Sequence, residues 1–323
     1  MYKTQICLIS VLLLLLTSAS FAAQPDYVYV SATNVRIRDA ASTSGKVVAT
    51  LPIGTWGKVI ETSEKTDNLL GKTAHWYKIS IDNDQQGWIF GGLTLAATAE
   101  DRFSAAIQII DSQVNTENKS LEDLMQTLEF AENVKELASH SLEKAELEMA
   151  FLVVLGRVYS SLSMSGKGDI TSHKAVKDYK NLCYYHEMAG QYFIRPKTFW
   201  DLAEKYADIT EASEKIAWAA ANQILGGETE GDLDLMIEAF EMTHGRYIES
   251  YPEGKHVSQA LGIAAYGIDH INDNLSYYES AEDKEKLKNK LEWFEDLAAI
   301  TPASENRNKL TASIKKVRDR LGN

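Results

Sequence analysis

Cys183 and His186 stand three residues apart in Cys-Tyr-Tyr-His, and a thiol beside an imidazole can serve as nucleophile and base when the ring is placed to take the thiol proton. The local pattern argues for packing instead. A helix is expected from Thr171 or Ser172 through Val176, Tyr179 and Cys183 to about Phe193, which puts the thiol mid-helix as a small buried hydrophobe. His186-Glu187 opens like a zinc protease motif, but the second histidine it needs, four residues after the first, is Gly190. Asp82-Asn83-Asp84-Gln85-Gln86-Gly87 opens like a calcium loop, yet Leu93 stands where a bidentate glutamate is required. His140, His173, His244, His256 and His270 occur singly, as packed helical histidines do. Glu228 and Glu230, in a Gly-flanked loop, are the exposed carboxylates that could work as a glycosidic pair. No catalytic residue, metal site or cofactor is expected from these patterns.

The elements that must carry any site come in two kinds. Tyr27-Val28-Tyr29-Val30 is rich in β-branched and aromatic residues, and Val35-Arg36-Ile37-Arg38 alternates with the two-residue period of strands. Further strands are expected at 46–51, 55–61, 75–81 and 87–90, with a long polar loop at 61–74. Short strands in such number favour a closed or half-closed barrel over 27–96, which removes exposed edges. From about Ala99 the period becomes helical: Phe103, Ala106, Ile107, Ile110 and Val114 fall on one stripe. Ser120 with Asp123 reads as a small capping box before Leu121, Leu124 and Leu128. Further helices are expected near 142–162, 197–207, 210–225, 232–250, 255–274, 280–299 and 303–321, without intervening strands. The fold class is therefore α+β in two domains, a small β-barrel followed at 99–323 by an all-α antiparallel region.

Composition supports a packed protein: 323 residues, 45% hydrophobic, with 5 Pro and 19 Gly, which excludes collagen-like and wholly disordered chains. Lys3, the apolar run at 6–16 and Ser20-Phe21-Ala22 read as a signal peptide over residues 1–22. The run is far shorter than the roughly 20 residues needed to span hydrocarbon, so export to the periplasm or exterior is expected, with no membrane anchor after cleavage. No second apolar stretch is read as long enough to span. Cys7 leaves with the signal, and Cys183 alone cannot form an internal disulfide. Residues 27–96 hold seven Lys or Arg against six Asp or Glu, whereas 97–323 hold 25 against 39. A helical region of that sign repels phosphates, so nucleic acid is not an expected partner.

Three separated motifs in the barrel resemble the bacterial SH3 (SH3b) family: Asn34-Val35-Arg36-Ile37-Arg38 with the following Ser42-Thr43-Ser44-Gly45-Lys46-Val47-Val48, then Leu51-Pro52-Ile53-Gly54-Thr55, and Trp76-Tyr77-Lys78-Ile79 leading to Gly87-Trp88-Ile89. Asp39-Ala40 departs from the Gly-Pro common in that family, and the 61–74 loop is longer than usual. The resemblance implies an SH3-like barrel that binds a peptide or a peptidoglycan component without catalysis. Aromatic rings give flat, stiff contact area, so Tyr29, Trp56, Trp76 and Tyr77 are the candidate groove. Arg36 and Arg38, on one face, could grip a peptide carboxylate, while Trp88 is expected in the barrel core. The implied alternative is a peptidoglycan hydrolase with a carboxylate site in the helical region.

The helical region weakly resembles tetratricopeptide-like repeats. Positions 45 apart pair Tyr206 with Tyr251, Ser213 with Ser258 and Ala219-Ala220 with Ala264-Ala265. Tyr251-Pro252 resembles the turn between helix pairs, and Thr301-Pro302 a degenerate third copy. An irregular bundle is the other reading, and in either form this region could dock a protein partner.

Overall fold

The computed structural model describes residues 25–81, 85–164, 173–225 and 232–322. The signal-peptide reading, Asp82 to Asp84 of the calcium test, the cap at Thr171 or Ser172, and the pair Glu228 and Glu230 lie outside the described residues.

Seven antiparallel strands form the first unit: β1 (Tyr27–Val30), β2 (Val35–Arg38), β3 (Val47–Leu51), β4 (Trp56–Leu69), β5 (Lys72–Ser80), β6 (Gln86–Phe90) and β7 (Thr94–Ala97). Their order, β3-β2-β6-β5-β4-β1-β7, curls the sheet into a half-barrel. Alternation decides which side chains enter it, because successive residues of a strand face opposite ways. Val28, Val30, Val35, Ile37, Leu51, Val59, Ile79 and Ile89 make this inner core, while Arg36 stays exposed between Val35 and Ile37.

The expected polar loop at 61–74 is instead the far half of a β4–β5 ribbon. Leu70 (φ 56°) and Gly71 (φ 74°) turn it in two residues, the left-handed pair that suits hairpin twist. The ladder slips between Val59 and Glu61 and again between Thr62 and Thr66. Polar side chains line both faces here, so no apolar alternation marked these residues as strand; the backbone ladder supplies the order.

The helices are α1 (Arg102–Asn115), α2 (Leu121–Asn133), α3 (Ser141–Met164), α4 (Lys174–Asp178), α5 (Pro196–Lys205), α6 (Thr210–Ala221), α7 (Leu233–Phe240), α8 (Arg246–Ser250), α9 (Val257–Asp273), α10 (Ala281–Ala299) and α11 (Glu305–Leu321). Several starts carry their own signal. Ser120 and Asp123 exchange hydrogen bonds as a full capping box at α2, and Asp232, Ser280 and Ser304 cap α7, α10 and α11. The single helix expected over 232–250 is broken by a π-helical turn at Glu241–Gly245.

Two readings of the helical region need correction. The helix expected through Cys183 to Phe193 is the short α4 followed by a hairpin, β8 (Cys183–His186) and β9 (Gln191–Ile194), so strands do intervene among the helices. The aromatic-rich hairpin prefers a pleated surface, and Gly190, at φ 62°, takes a turn conformation that a helix interior does not allow. Pro196 accordingly begins α5 at its first position and ends no helix. Secondly, α3 is long and apolar enough to cross a membrane by length and composition. It serves as the central helix, packed on α1, α2, α5, α6 and β9, with Val154, Leu155 and Val158 fully buried.

The residues paired 45 positions apart fall at the ends and starts of helices. Tyr206 and Tyr251 end α5 and α8, and Ser213 and Ser258 lie in the opening turns of α6 and α9. Their contacts are not equivalent: Ser213 Oγ lies 2.6 Å from Tyr251 Oη, whereas Ser258 accepts through its backbone carbonyl from Asn306 Nδ2 at 2.8 Å.

Candidate functional site

The half-barrel does not stand apart from the helices. Tyr29 and Ile53 leave its inner core and join the continuous helical one, beside Phe130 and Val134. The β3–β4 turn delivers Ile53 there because Gly54 adopts φ 81°, and a Cβ at that glycine would overlap the Phe130 ring. Ile53 N–H donates to Gln126 Oε1 at 3.3 Å, and Gln113 Nε2 donates to the Ser31 carbonyl at 2.8 Å. Asn34 Nδ2 donates to Glu122 Oε1 at 2.6 Å, and its Oδ1 accepts from Gln126 Nε2 at 3.2 Å.

Thr33 Oγ1 donates to Asp123 Oδ1, so the carboxylate of the α2 capping box also holds the barrel. Burial pushes the Asp123 carboxyl upward, but hydrogen bonds from Thr33 and Ser120 outweigh it and leave the group below its ordinary range.

Beside this seam lies an open crevice of about 580 Å³ between the 52–56 turn of the barrel and the end of α2. Trp56 forms one wall, stacked on Tyr27 with ring centres 4.9 Å apart and tilted against Tyr29 at 4.4 Å. Arg102, the first residue of α1, reaches across from the helical side. Its guanidinium carbon sits 5.1 Å from the Trp56 ring centre, and its Nε donates to Tyr29 Oη at 3.2 Å. A cation over an indole face is held by the ring quadrupole. Burial raises the Tyr29 phenol pKa, with Arg102 partly offsetting it, so this oxygen stays protonated as it accepts from Arg102.

The expected groove is thus divided. Tyr29 and Trp56 meet at the crevice. Trp76 is 2% exposed, edge-on to Phe90, with its indole N–H donating to Asp67 Oδ2 at 2.6 Å, and offers no contact surface. Tyr77 packs on the inner barrel core. Arg36 and Arg38 lie on β2, with three strands between it and β1 in the sheet, and Arg38 Nη1 donates to the Gly45 carbonyl at 2.6 Å. Trp88, expected in the barrel core, joins neither core and stands half-buried opposite Lys78 and Arg38. Its neighbours Gly87 and Ile89 take the inner face.

Sequence reasoning missed Arg102 and Phe130, which line the crevice, and Tyr27, which backs the Trp56 ring. The only available signal was that Tyr27 and Tyr29 share a strand face; nothing local indicates that the partner of Arg102 is Trp56.

The other chemical candidates do not converge. Cys183 is buried in the helical core, while His186, three residues along the same strand, packs against Tyr184 and Phe193, because residues an odd number apart face opposite sides. Among the described residues no three of His, Cys, Asp and Glu gather closely enough to hold a metal ion. His173 caps α4 through Nδ1, and His256 stacks on Trp218 at 4.5 Å.

No curated protein and no solved structure matches the chain. Residues 33–94 match the bacterial SH3 domain family, so a bacterial SH3 domain heads the described structure and is locked to the helical region that follows.

Proposed function

We propose that this protein is an exported, non-enzymatic binding protein of the bacterial envelope, and that its ligand is a short carboxylate-bearing peptide of the kind found in cell-wall stems. The crevice between the barrel's 52–56 turn and the end of α2 receives it, with the helical region completing, through Arg102 and α2, a site that the SH3 domain only half supplies. The observation that carries this reading is Arg102. Its guanidinium lies against Trp56, its Nε is engaged by Tyr29, and its terminal nitrogens have no protein partner among the described residues. A planar fork held in this way is suited to a carboxylate, and the crevice wall of Trp56, Ile81 and Leu137 to the adjoining apolar side chain. The SH3b match supports the class of ligand and an envelope location, since such domains generally serve peptide or wall binding.

Co-sedimentation of the protein with purified peptidoglycan tests the proposal. The intact chain should pellet, and Arg102→Gln and Trp56→Ala should each weaken binding by about tenfold, the size of one charge-assisted or aromatic contact. Pelleting that ignores both substitutions removes the crevice from consideration. Clearing of a peptidoglycan zymogram that vanishes in Glu228→Gln or Glu230→Gln would instead establish the hydrolase alternative.

A further inference from the structure

A second cleft, of about 610 Å³, opens between the N-terminal half of α3 and α5, on the helical region alone. Leu147, Phe151, Leu152, Leu182 and Leu202 line it. Volume and apolar lining fall within the range of small-molecule sites. Its rim has the opposite character to the region around it. Lys135, Lys144 and Lys205 stand at the mouth, in a stretch where acids outnumber bases by 39 to 25 over residues 97–323.

The three lysines are not equivalent. Lys205 is held by Glu148 at 2.7 Å, and Asp201, also at the rim, is taken by Lys197. Lys135 and Lys144 have no carboxylate partner among the described residues, and Lys135 Nζ lies over the Phe151 ring, 5.2 Å from its centre. The lining acids Glu148 and Asp201 are therefore already paired, and two ammonium groups without a carboxylate remain, that of Lys135 above the Phe151 ring of the apolar lining. Charge at the mouth and an apolar interior select for a molecule with both parts.

We infer that this cleft binds a single-chain amphiphilic anion, an acyl-type tail seated on the leucines with a carboxylate head between Lys135 and Lys144. The site shares no residue with the SH3 crevice, so it stands or falls independently of the peptide reading.

Calorimetric titration of the full chain tests it, using dodecanoate below its micellar concentration, dodecylammonium as the tail with reversed charge, and acetate as the head alone. Dodecanoate should bind one per chain, at least tenfold more tightly than dodecylammonium, with acetate showing no binding. Lys135→Glu with Lys144→Glu, both exposed positions, should invert that preference. Ala138→Phe, placed at the cleft wall, should abolish binding of either tail, with circular dichroism verifying the fold of each variant. Equal binding of the two tails, indifference to the lysine reversal, or no uptake of dodecanoate would overturn the inference.

Discussion

The half-barrel has two sides that follow different rules. On one, Val35, Ile37, Ile79 and Ile89 close on one another and form a core that belongs to the strands alone. On the other, Tyr29 and Ile53 are buried by the helices, and their partners Phe130 and Val134 lie far along the chain, at the end of α2 and just beyond it. The first side is a module that local alternation can specify. The second exists only once the helices have docked, and the candidate peptide site sits on it. An SH3-sized fold with a self-contained core can thus still depend on its neighbour for part of the surface that it presents.

The contrast is broken most severely where the β3–β4 turn meets α2. Phe130→Ala, which empties the seam, should cost about 3 to 5 kcal/mol. Gly54 and Gly71 both have left-handed φ, but a Cβ at Gly54 meets the Phe130 ring, whereas one at Gly71 meets nothing within 4 Å. Gly54→Ala therefore adds overpacking against a buried ring to its backbone strain, for a total of about 2 to 5 kcal/mol. Gly71→Ala should cost only the strain, about 1 to 2 kcal/mol. Urea unfolding followed by limited proteolysis separates the cases: Phe130→Ala and Gly54→Ala should release the barrel from the helices, and Gly71→Ala should not. Equal losses at the two glycines would show that the close approach at the seam contributes nothing.

The same division explains what the sequence alone makes legible. Alternation at Val35-Arg36-Ile37-Arg38 and three separated motifs placed the barrel, and helical periodicity placed most of α1 to α11, because both signals are local. Polar residues in the far β4–β5 ribbon carry no period, so the ribbon read as a loop. Cys183 to Ile194 was apolar enough for a helix, and only the aromatic content and Gly190 spoke for the hairpin. Half of the site was visible in Tyr29 and Trp56. Arg102 was not, since its role depends on how α1 approaches the strands, which no spacing encodes. Trp76 was misplaced for the converse reason: an aromatic on a strand looks alike whether it faces a ligand or, as here, Asp67 and Phe90.

A smaller change sharpens the comparison at Asp123, which serves helix and barrel together. Asp123→Ala removes the capping box and the acceptor for Thr33, and should cost about 1 to 2 kcal/mol. Its folded carboxyl titrates below the unfolded one, so the contribution is complete above about pH 4 and is lost as pH falls through the lowered folded value. In the variant, the acid limb of the stability curve below about pH 4 should flatten. Thr33→Val should reproduce the part owed to the barrel while leaving the α2 cap intact; a full-sized loss from Thr33→Val would move the whole effect to the seam.

The smallest effect belongs to the helical side and runs over a different pH window. His244 lies between Trp218 at 5.5 Å and Phe240 at 6.0 Å, with Thr243 Oγ1 at 3.4 Å from Nδ1 and a buried Nε2 that has no hydrogen-bond partner. Burial holds its pKa below the ordinary imidazole value. Above about pH 6.5 folded and unfolded chains both carry it neutral, and no pH dependence of stability arises from it. Below that, the unfolded chain takes a proton that the folded one refuses, so stability declines from about pH 6.5 until the lowered folded pKa is reached. His244→Phe keeps the aromatic contacts and removes both the unpartnered nitrogen and the titration. It should gain on the order of 1 kcal/mol at neutral pH and flatten the curve just below about pH 6.5, leaving the Asp123 limb near pH 4 untouched. A variant that also altered the acid limb would mean that the two titrations are coupled through the structure and belong to neither side alone.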